Sequence, residues 1–310
     1  MDDLAETRRQ RAAQWKTSGK GLPESEDPPT RLRSRSPPGK GSRLESERSE
    51  SSNIRVLSWN IDGLDDHSNE EDMLGRTMWI IKEINRLRPH VVFLQELIDF
   101  NYQIVYQLLN GAFHIFKQED CRQPYFVAVL VHKASMSVAG SAQPVRFPFS
   151  KMGRGGVFVS VSLRGSSESV GLLTAHLESF RESASERKKQ IELCWDFLEN
   201  MIKKGIVNST IFGGDLNIRD NEVPSNLAQS DAWIMAGRNK AHEFTWDLAR
   251  NDNAQMPHGG KPRCRFDRFY VNSVKDVRVN EFQLVGTDRV DGLDRFASDH
   301  FGIFIDMMIP

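Results

Sequence analysis

Thr210-Ile-Phe-Gly-Gly-Asp-Leu-Asn217 changes character at its midpoint. The first half is apolar and reads as a buried strand; the second half offers a carboxylate and an amide. Two glycines ahead of Asp215 let the backbone approach a ligand closely or leave the strand tightly. An ordinary Asx turn over Asp-Leu-Asn is the plain alternative. Recurrence of the arrangement favours the first reading. Ile54-Arg-Val-Leu-Ser-Trp-Asn60-Ile-Asp62-Gly63, Val91-Val-Phe-Leu-Gln-Glu96 and Val170-Gly-Leu-Leu-Thr-Ala-His176 are also apolar runs that end in polar groups. Ser298-Asp299-His300 adjoins a further run, Phe301 to Asp306. Polar groups at strand ends converge on one rim of a sheet, where ligand sites tend to lie.

Between these strings the pattern alternates. Met73 to Leu87 has apolar residues at helical spacing, with Pro89 as a stop signal. Ser183 to Lys204 is the clearest helix: Ile191, Cys194, Trp195, Leu198 and Ile202 share a face, and Gly205 follows as a C-cap. Further strands are expected at Phe126 to Val131, Val157 to Leu163 and Arg265 to Val271. No internal repeat is evident. Asn251 to Arg263, rich in Gly, Pro and Asn, reads as a mobile loop. The pattern predicts mixed sheets covered by helices in one domain over residues 53–310.

Residues 1–52 differ from the rest. They are rich in Arg, Ser, Glu, Pro and Gly, cannot bury enough apolar surface to offset ordering entropy, and read as a disordered basic tail. They carry eleven Lys/Arg against nine Asp/Glu, so the remainder of a chain of net charge −1 carries −3. Phosphate contacts must therefore come from local Arg or Lys and not from bulk charge. Arg31-Leu-Arg-Ser-Arg-Ser-Pro-Pro38 reads either as a phosphorylation or nuclear-import segment or as a solvated stretch. The longest apolar run, Tyr125 to Val131, is too short to span a bilayer, and no membrane partner is expected. Three scattered cysteines argue for a reducing compartment and against a zinc site.

These groups suit metal-assisted phosphodiester cleavage. A phosphodiester repels nucleophiles, and a hard divalent cation neutralises that charge. Mg2+ needs only one or two carboxylates, since it keeps several waters. Glu96 is the first candidate and Asp62 the second, although Asp-Gly is also a common turn pair. Asp215 would orient and deprotonate the attacking water, with Asn217 bonding it or a phosphate oxygen. His300, oriented by Asp267 or Asp299, would donate to the non-bridging oxygens; His176 is a second donor.

In this order, Ser58-Trp-Asn-Ile-Asp-Gly63, Leu94-Gln-Glu96, Thr174-Ala-His-Leu177, Gly214-Asp-Leu-Asn217 and Ser298-Asp-His300 resemble the endonuclease/exonuclease/phosphatase superfamily across residues 54–310. The resemblance implies an α+β fold: a four-layer α/β/β/α sandwich, deoxyribonuclease I-like, of two mixed sheets flanked by helices. Longer strings (His176-Leu-Glu-Ser-Phe-Arg181, Gly214-Asp-Leu-Asn-Ile-Arg-Asp220, Phe244-Thr-Trp-Asp247 and Arg265-Phe-Asp-Arg268) resemble the branch that frees topoisomerase tyrosine from a DNA 5′-phosphate. By position the resemblance makes Asp62 and Glu96 ligands of Mg2+, with Mn2+ as a substitute, and Asp215 the acid/base residue. It puts Asn60, His176, Ser179, Asn217 and His300 on the scissile phosphate. Arg181 and Arg219 hold the strand, and Tyr125, Trp246 and Phe266 line its path. The implied partners are DNA 5′ ends bearing a tyrosyl or topoisomerase peptide, with 5′-tyrosyl RNA a secondary substrate, acted on by a monomer in the nucleus and secondarily the cytoplasm. Phe301 stands where the family usually has Trp, and Gly213 where it usually has Ala. The small ubiquitin-binding domain that precedes the catalytic domain in this branch is not evident in residues 1–52. Another superfamily phosphodiesterase (a deadenylase, abasic-site endonuclease or lipid phosphodiesterase) and a non-enzymatic interaction protein are the alternative readings.

Overall fold

The computed structural model describes residues 52–309, apart from 120, 122, 257 and 258. The expected tail over residues 1–52 falls, but for Ser52, outside the described residues. The strands are β1 (Ser52–Asn60), β2 (Val91–Ile98), β3 (Phe113–Lys117), β4 (Tyr125–His132), β5 (Met136–Arg146), β6 (Gly155–Leu163), β7 (Ser169–Ala175), β8 (Ser209–Asp215), β9 (Trp246–Asp247), β10 (Arg263–Cys264), β11 (Asp267–Ser273), β12 (Arg278–Val285) and β13 (Gly302–Ile309). The helices are α1 (Glu70–Leu87), α2 (Asp99–Leu109), α3 (Ala184–Lys203) and the single turn α4 (Ala232–Met235).

A six-stranded sheet runs β12-β13-β1-β2-β4-β3 and a five-stranded sheet runs β11-β8-β7-β6-β5. Each is mixed, with one parallel pair, β1 with β2 and β7 with β8. Period-two alternation explains the layers. Val56, Phe93, Val159, Leu172 and Ile211 fill the space between the sheets. Their neighbours Leu57, Leu94 and Leu130 face outward beneath Ile80, Ile84 and Ile104. Phe158, Leu173 and Phe212 do the same beneath Ile191, Trp195 and Leu198. Strands buried on both faces read as continuous apolar runs, as β2, β4 and β8 do. The result is the four-layer α/β/β/α sandwich.

Local chemistry sets the helix ends. Asn69 caps α1 by accepting from the Asp72 amide at 2.8 Å, and Glu70, Glu71 and Asp72 suit the positive end of its dipole. Arg88, in the left-handed region at φ 49°, ends it ahead of Pro89.

Two expected strands differ in detail. β2 continues past Glu96 to Ile98 through a bulge between Leu94 and Leu97. The strand expected over Arg265 to Val271 begins at Asp267, where pairing with β8 starts; Arg265 and Phe266 link it to β10, which pairs with β9. The loop expected to be mobile is pinned at its base: Asn251 Nδ2 donates to Ser298 O and Asn253 Nδ2 to Phe296 O, each at 2.8 Å. No helix among the described residues is long and apolar enough to cross a membrane.

Candidate active site

The parallel pairs place their C-terminal ends at one rim of the sandwich. Asn60 ends β1, His176 follows β7 and Asp215 ends β8. Antiparallel neighbours start at the same rim: Asp267 opens β11 opposite Asp215, and β13 begins two residues after His300. Side chains bridge the sheets there. Asn60 Nδ2 donates to Asp215 Oδ2 at 3.0 Å, and Gln95 Nε2 to Thr174 Oγ1 at 3.1 Å. Gly214 lets β8 end close against its sheet neighbour β7. Its φ is 142°, and a Cβ there would lie 2.1 Å from Ala175 O.

One part of the site is built on Asp215, 2% exposed. Its Oδ2 lies 3.2 Å from His176 Nε2 and 3.7 Å from His300 Nε2, and its Oδ1 accepts from the Asn217 amide at 3.0 Å. Burial pushes the Asp215 carboxyl up, but His300 and His176 outweigh it and hold the group well below the usual carboxylate range. His300 Nδ1 pairs with Asp267 Oδ2 at 2.7 Å. Burial works against the His300 cation; Asp267, Asp215 and Asp299 together overcome it and lift the imidazole well above its ordinary value. Burial also raises Asp267. His300 thus has Nδ1 engaged by Asp267 and Nε2 turned towards Asp215 Oδ2. His176 has both ring nitrogens buried without a hydrogen-bond partner, since its approach to Asp215 lacks hydrogen-bond geometry. Its Nε2 faces two carboxylates, Asp215 Oδ2 at 3.2 Å and Glu96 Oε1 at 3.8 Å.

The other part is rich in carboxylates. Asp62 sits at φ 49° and Glu96, in the bulge of β2, at φ 53°. Gly63 donates its amide to Glu96 O at 3.1 Å, and a Cβ on it would lie 2.3 Å from that oxygen. This close approach ties the two acids together. Burial pushes the Asp62 carboxyl well up; Asp299, Asp65 and Glu96 add to that, and Arg76 opposes it. Arg76 Nη2 reaches Asp62 Oδ2 at 3.1 Å, while its Nη1 reaches Asp65 Oδ2 at 2.7 Å. Arg295 Nη2 also meets Asp65 Oδ2, at 2.6 Å. Ligand atoms of Glu96, His176 and Asp215 lie within 4.8 Å of one another, as do those of Asp215, Asp267 and His300, so both groups can hold a metal ion. Asp62 is in neither group. Two of the three donors grouped with Glu96 are carboxylate oxygens, which suit a hard divalent cation, and the third is the His176 imidazole.

Aromatic and basic groups flank the centre. Trp246 and Phe266 lie 5.6 Å apart at the end formed by β9 and β11, with the Arg219 guanidinium 5.6 Å from the Phe266 ring. Trp246 Nε1 donates to Asp299 Oδ2 at 3.2 Å; Asp299 Oδ1 is 4.0 Å from His300, so Asp267 is the closer partner of that histidine. Arg181 is exposed on the turn after Ser179. Tyr125 lies at the opposite end, its ring 6.2 Å from that of His176.

Sequence reasoning missed several buried supports. Arg154 donates to Tyr125 OH at 3.1 Å, Ser179 Oγ at 2.7 Å and Leu177 O. Arg187, fully buried on α3, grips Glu222 at 2.9 and 2.8 Å and donates to the carbonyls of Glu178 and Phe180. Glu222 in turn accepts from the Arg219 amide at 3.2 Å, so one guanidinium ties the turn bearing Arg181 to the loop bearing Arg219. A signal was present: Arg187 lies four residues before Ile191, in line with the apolar face of α3. Glu178, fully buried, holds the loop before β6 through the Met152 amide at 2.8 Å.

Residues 57–300 match the Endonuclease/Exonuclease/phosphatase family. The chain is 35% identical over 253 residues to the 5′-tyrosyl-DNA phosphodiesterase of Caenorhabditis elegans, covering 81% of this chain and 66% of that one. It is 32% identical over 272 residues to tyrosyl-DNA phosphodiesterase 2 of Xenopus tropicalis, covering 85% and 68%. It thus spans about two thirds of the length of these relatives. Among solved structures, D. rerio TDP2 complexed with single strand DNA product superposes with a TM-score of 0.72 at 29% identity, covering 83% of this chain and 99% of that one.

Proposed function

The chain belongs to the endonuclease/exonuclease/phosphatase family and, within it, to the tyrosyl-DNA phosphodiesterase 2 group, and on that premise we propose that it hydrolyses the bond between a tyrosine side chain and a DNA 5′-phosphate. The single observation that carries the reading is the contact of Asn60, His176 and His300 with one buried carboxylate, Asp215, at the rim where the sheets meet.

Glu96 and Asp62 would hold Mg2+, or Mn2+ in its place, which when bound neutralises charge on the scissile phosphate. The chain's own groups do the rest. Asp215 Oδ2, fixed by Asn60, orients the attacking water and takes its proton. Its depressed basicity makes it a short-lived proton holder, and positioning is its larger contribution. His300 Nε2, charged because Asp267 holds Nδ1, donates to a non-bridging oxygen as charge develops. His176 and Asn217 supply further donors. Tyrosine leaves as a phenolate with a reference pKa of about 10, so no strong general acid is required. Trp246 and Phe266 offer faces for bases, worth roughly 1–3 kcal/mol per stacked base, and Arg219 and Arg181 meet backbone phosphates.

The same reading makes trapped topoisomerase ends the physiological substrate, with repair of DNA double-strand breaks in the nucleus as the setting. The test is cleavage of a single-stranded oligonucleotide carrying 5′-phosphotyrosine, beside 3′-phosphotyrosine and poly(A) controls, with Mg2+ or chelator. Selective, Mg2+-dependent release of tyrosine leaving a 5′-phosphate is expected. Digestion of poly(A) instead would keep the phosphodiesterase chemistry and discard the tyrosyl substrate.

A further inference from the structure

Two aromatic side chains near the rim are exposed and have no part in the chemistry above: Phe180, 41% exposed, and Phe149, 65% exposed. Phe180 follows Ser179 on the turn that leaves His176, and its backbone lies at φ 67° and ψ 154°, a region populated almost only by glycine. Arg187 holds the turn there: its Nη1 donates to the carbonyls of Glu178, Ser179 and Phe180. The strained backbone thus displays a ring to solvent instead of packing it in the core. Phe149 belongs to the same surface. Its loop, between β5 and β6, is tied to that turn by Glu178, which accepts from Ser150 Oγ at 3.0 Å and the Met152 amide at 2.8 Å. The Lys189 ammonium of α3 lies 5.5 Å from the Phe149 ring.

The patch is basic on a domain of net charge −3. Lys151, Arg181, Lys188 and Lys189 are exposed there, against the acids Glu182 and Glu186, the latter paired with Lys151 at 2.8 Å. It is also continuous with the active rim. Along the second sheet β11, β8, β7 and β6 are neighbours. At the rim Phe266 precedes β11, Arg219 follows β8, Phe180 and Arg181 follow β7, and Phe149 precedes β6. Arg219 stands 5.6 Å from the Phe266 ring, and Glu222 and Arg187 connect its backbone to that of Phe180. Rings that alternate with cations suit single-stranded nucleic acid: every base has a face to stack, and the cations meet its phosphates. A duplex hides those faces. We propose that Phe180, Phe149 and Lys189 extend the strand-binding face beyond Phe266 and Arg219 and hold further nucleotides of a single-stranded substrate, a reading that rests on the proposed phosphodiesterase function.

The test uses 5′-phosphotyrosyl oligonucleotides of one 5′ sequence and two lengths, a dinucleotide and a strand of about twelve nucleotides, within the usual site size of single-strand binders. Phe149→Ser and Phe180→Asn (Asn tolerates positive φ) should each raise KM about tenfold on the long strand. Each should leave the dinucleotide kinetics and the thermal unfolding curve unchanged. Binding of the long 5′-phosphate product, followed by fluorescence anisotropy across a salt series, separates rings from charge. Lys189→Ala should reduce the slope of log affinity against log salt by about 0.7, the share of one phosphate on a single strand. Phe149→Ser should weaken binding with that slope kept. Equal loss on both lengths, or an unchanged long-strand KM in either aromatic variant, would overturn the extended face and leave the phosphodiesterase reading in place. A loss seen only when the tyrosine carries a flanking peptide would assign the patch to polypeptide instead. Wild-type protein that turns over neither length would overturn both readings.

Discussion

Asp215 and Asp62 stand at the same rim, both buried, yet the protein treats their charges in opposite ways. Around Asp215 it places His300 and His176, and the carboxylate is held ionised. Around Asp62 it adds Asp299, Asp65 and Glu96, with Arg76 as the opposing cation, and the charged form is disfavoured. The first acid is balanced by the protein itself. The second sits among other acids and shares one guanidinium with Asp65. The difference separates a carboxylate set against imidazoles from one set among carboxylates.

The largest effect expected is on turnover. Asp215→Asn should lower kcat about 10^2- to 10^4-fold, in a protein that still unfolds cooperatively but at a lower temperature. The stability sign follows from the depressed carboxyl: its contribution is present above the unfolded value of 3.8 and lost as pH falls through the folded one, so at neutral pH the variant lacks it. A variant with wild-type turnover would remove Asp215 from the chemistry.

Arg187 and Glu222 extend the same logic to a pair balanced wholly by the protein. Arg187→Met should cost about 3 kcal/mol by taking the bidentate cation from Glu222 and leaving it only the longer contact to Arg219 Nη1 at 3.5 Å. The double variant Arg187→Met, Glu222→Leu should recover much of that in chemical denaturation. Because the pair joins the Arg181 and Arg219 loops, the double variant should regain stability and yet keep a raised KM. A normal KM would confine the pair to folding.

At Asp62 the comparison predicts a reversal. In chelator, Asp62→Asn should unfold no lower than wild type, since its charge is a liability without a cation. In Mg2+ it should need at least about tenfold more metal for the same rise in Tm. A marked fall in Tm in chelator would place Asp62 with the balanced acids instead.

The smallest effect is a shift in a pH profile. His300 is lifted well above 6.5, so its stabilising charge is fully present below 6.5 and is lost as pH rises through the folded value. Activity should therefore fall on the alkaline side. Asp267→Asn removes the nearest opposing charge, so that limb should move to lower pH. An unmoved limb would assign the titration to another group.

Much of the site was legible because its residues sit where apolar runs stop. Asn60, Glu96, His176, Asp215 and His300 each adjoin a strand whose buried faces leave no ambiguity of type. The fold was less complete. α2 went unread, since its apolar residues Ile104, Val105 and Leu109 follow a polar first turn. β5 hid behind the Gly140 to Ala142 bulge and Pro144, β3 is a short edge strand, and a bulge between Val279 and Glu281 breaks the alternation of β12. Arg76, Arg154 and Arg187 went unread for another reason. A charged residue in a polar stretch looks the same whether it is solvated or buried against a partner many residues away.

The sequence alone determined the class of chemistry, the strand ends that carry it and the helices that cover it, because burial imposes periodicities of two and of three to four residues on a linear chain. The tertiary structure decided which acid is set against imidazoles and which among other acids, and which arginines brace the site. Those properties depend on distances between residues remote in sequence. Asn60 and Asp215 meet at 3.0 Å across 155 positions, and no local pattern encodes that contact.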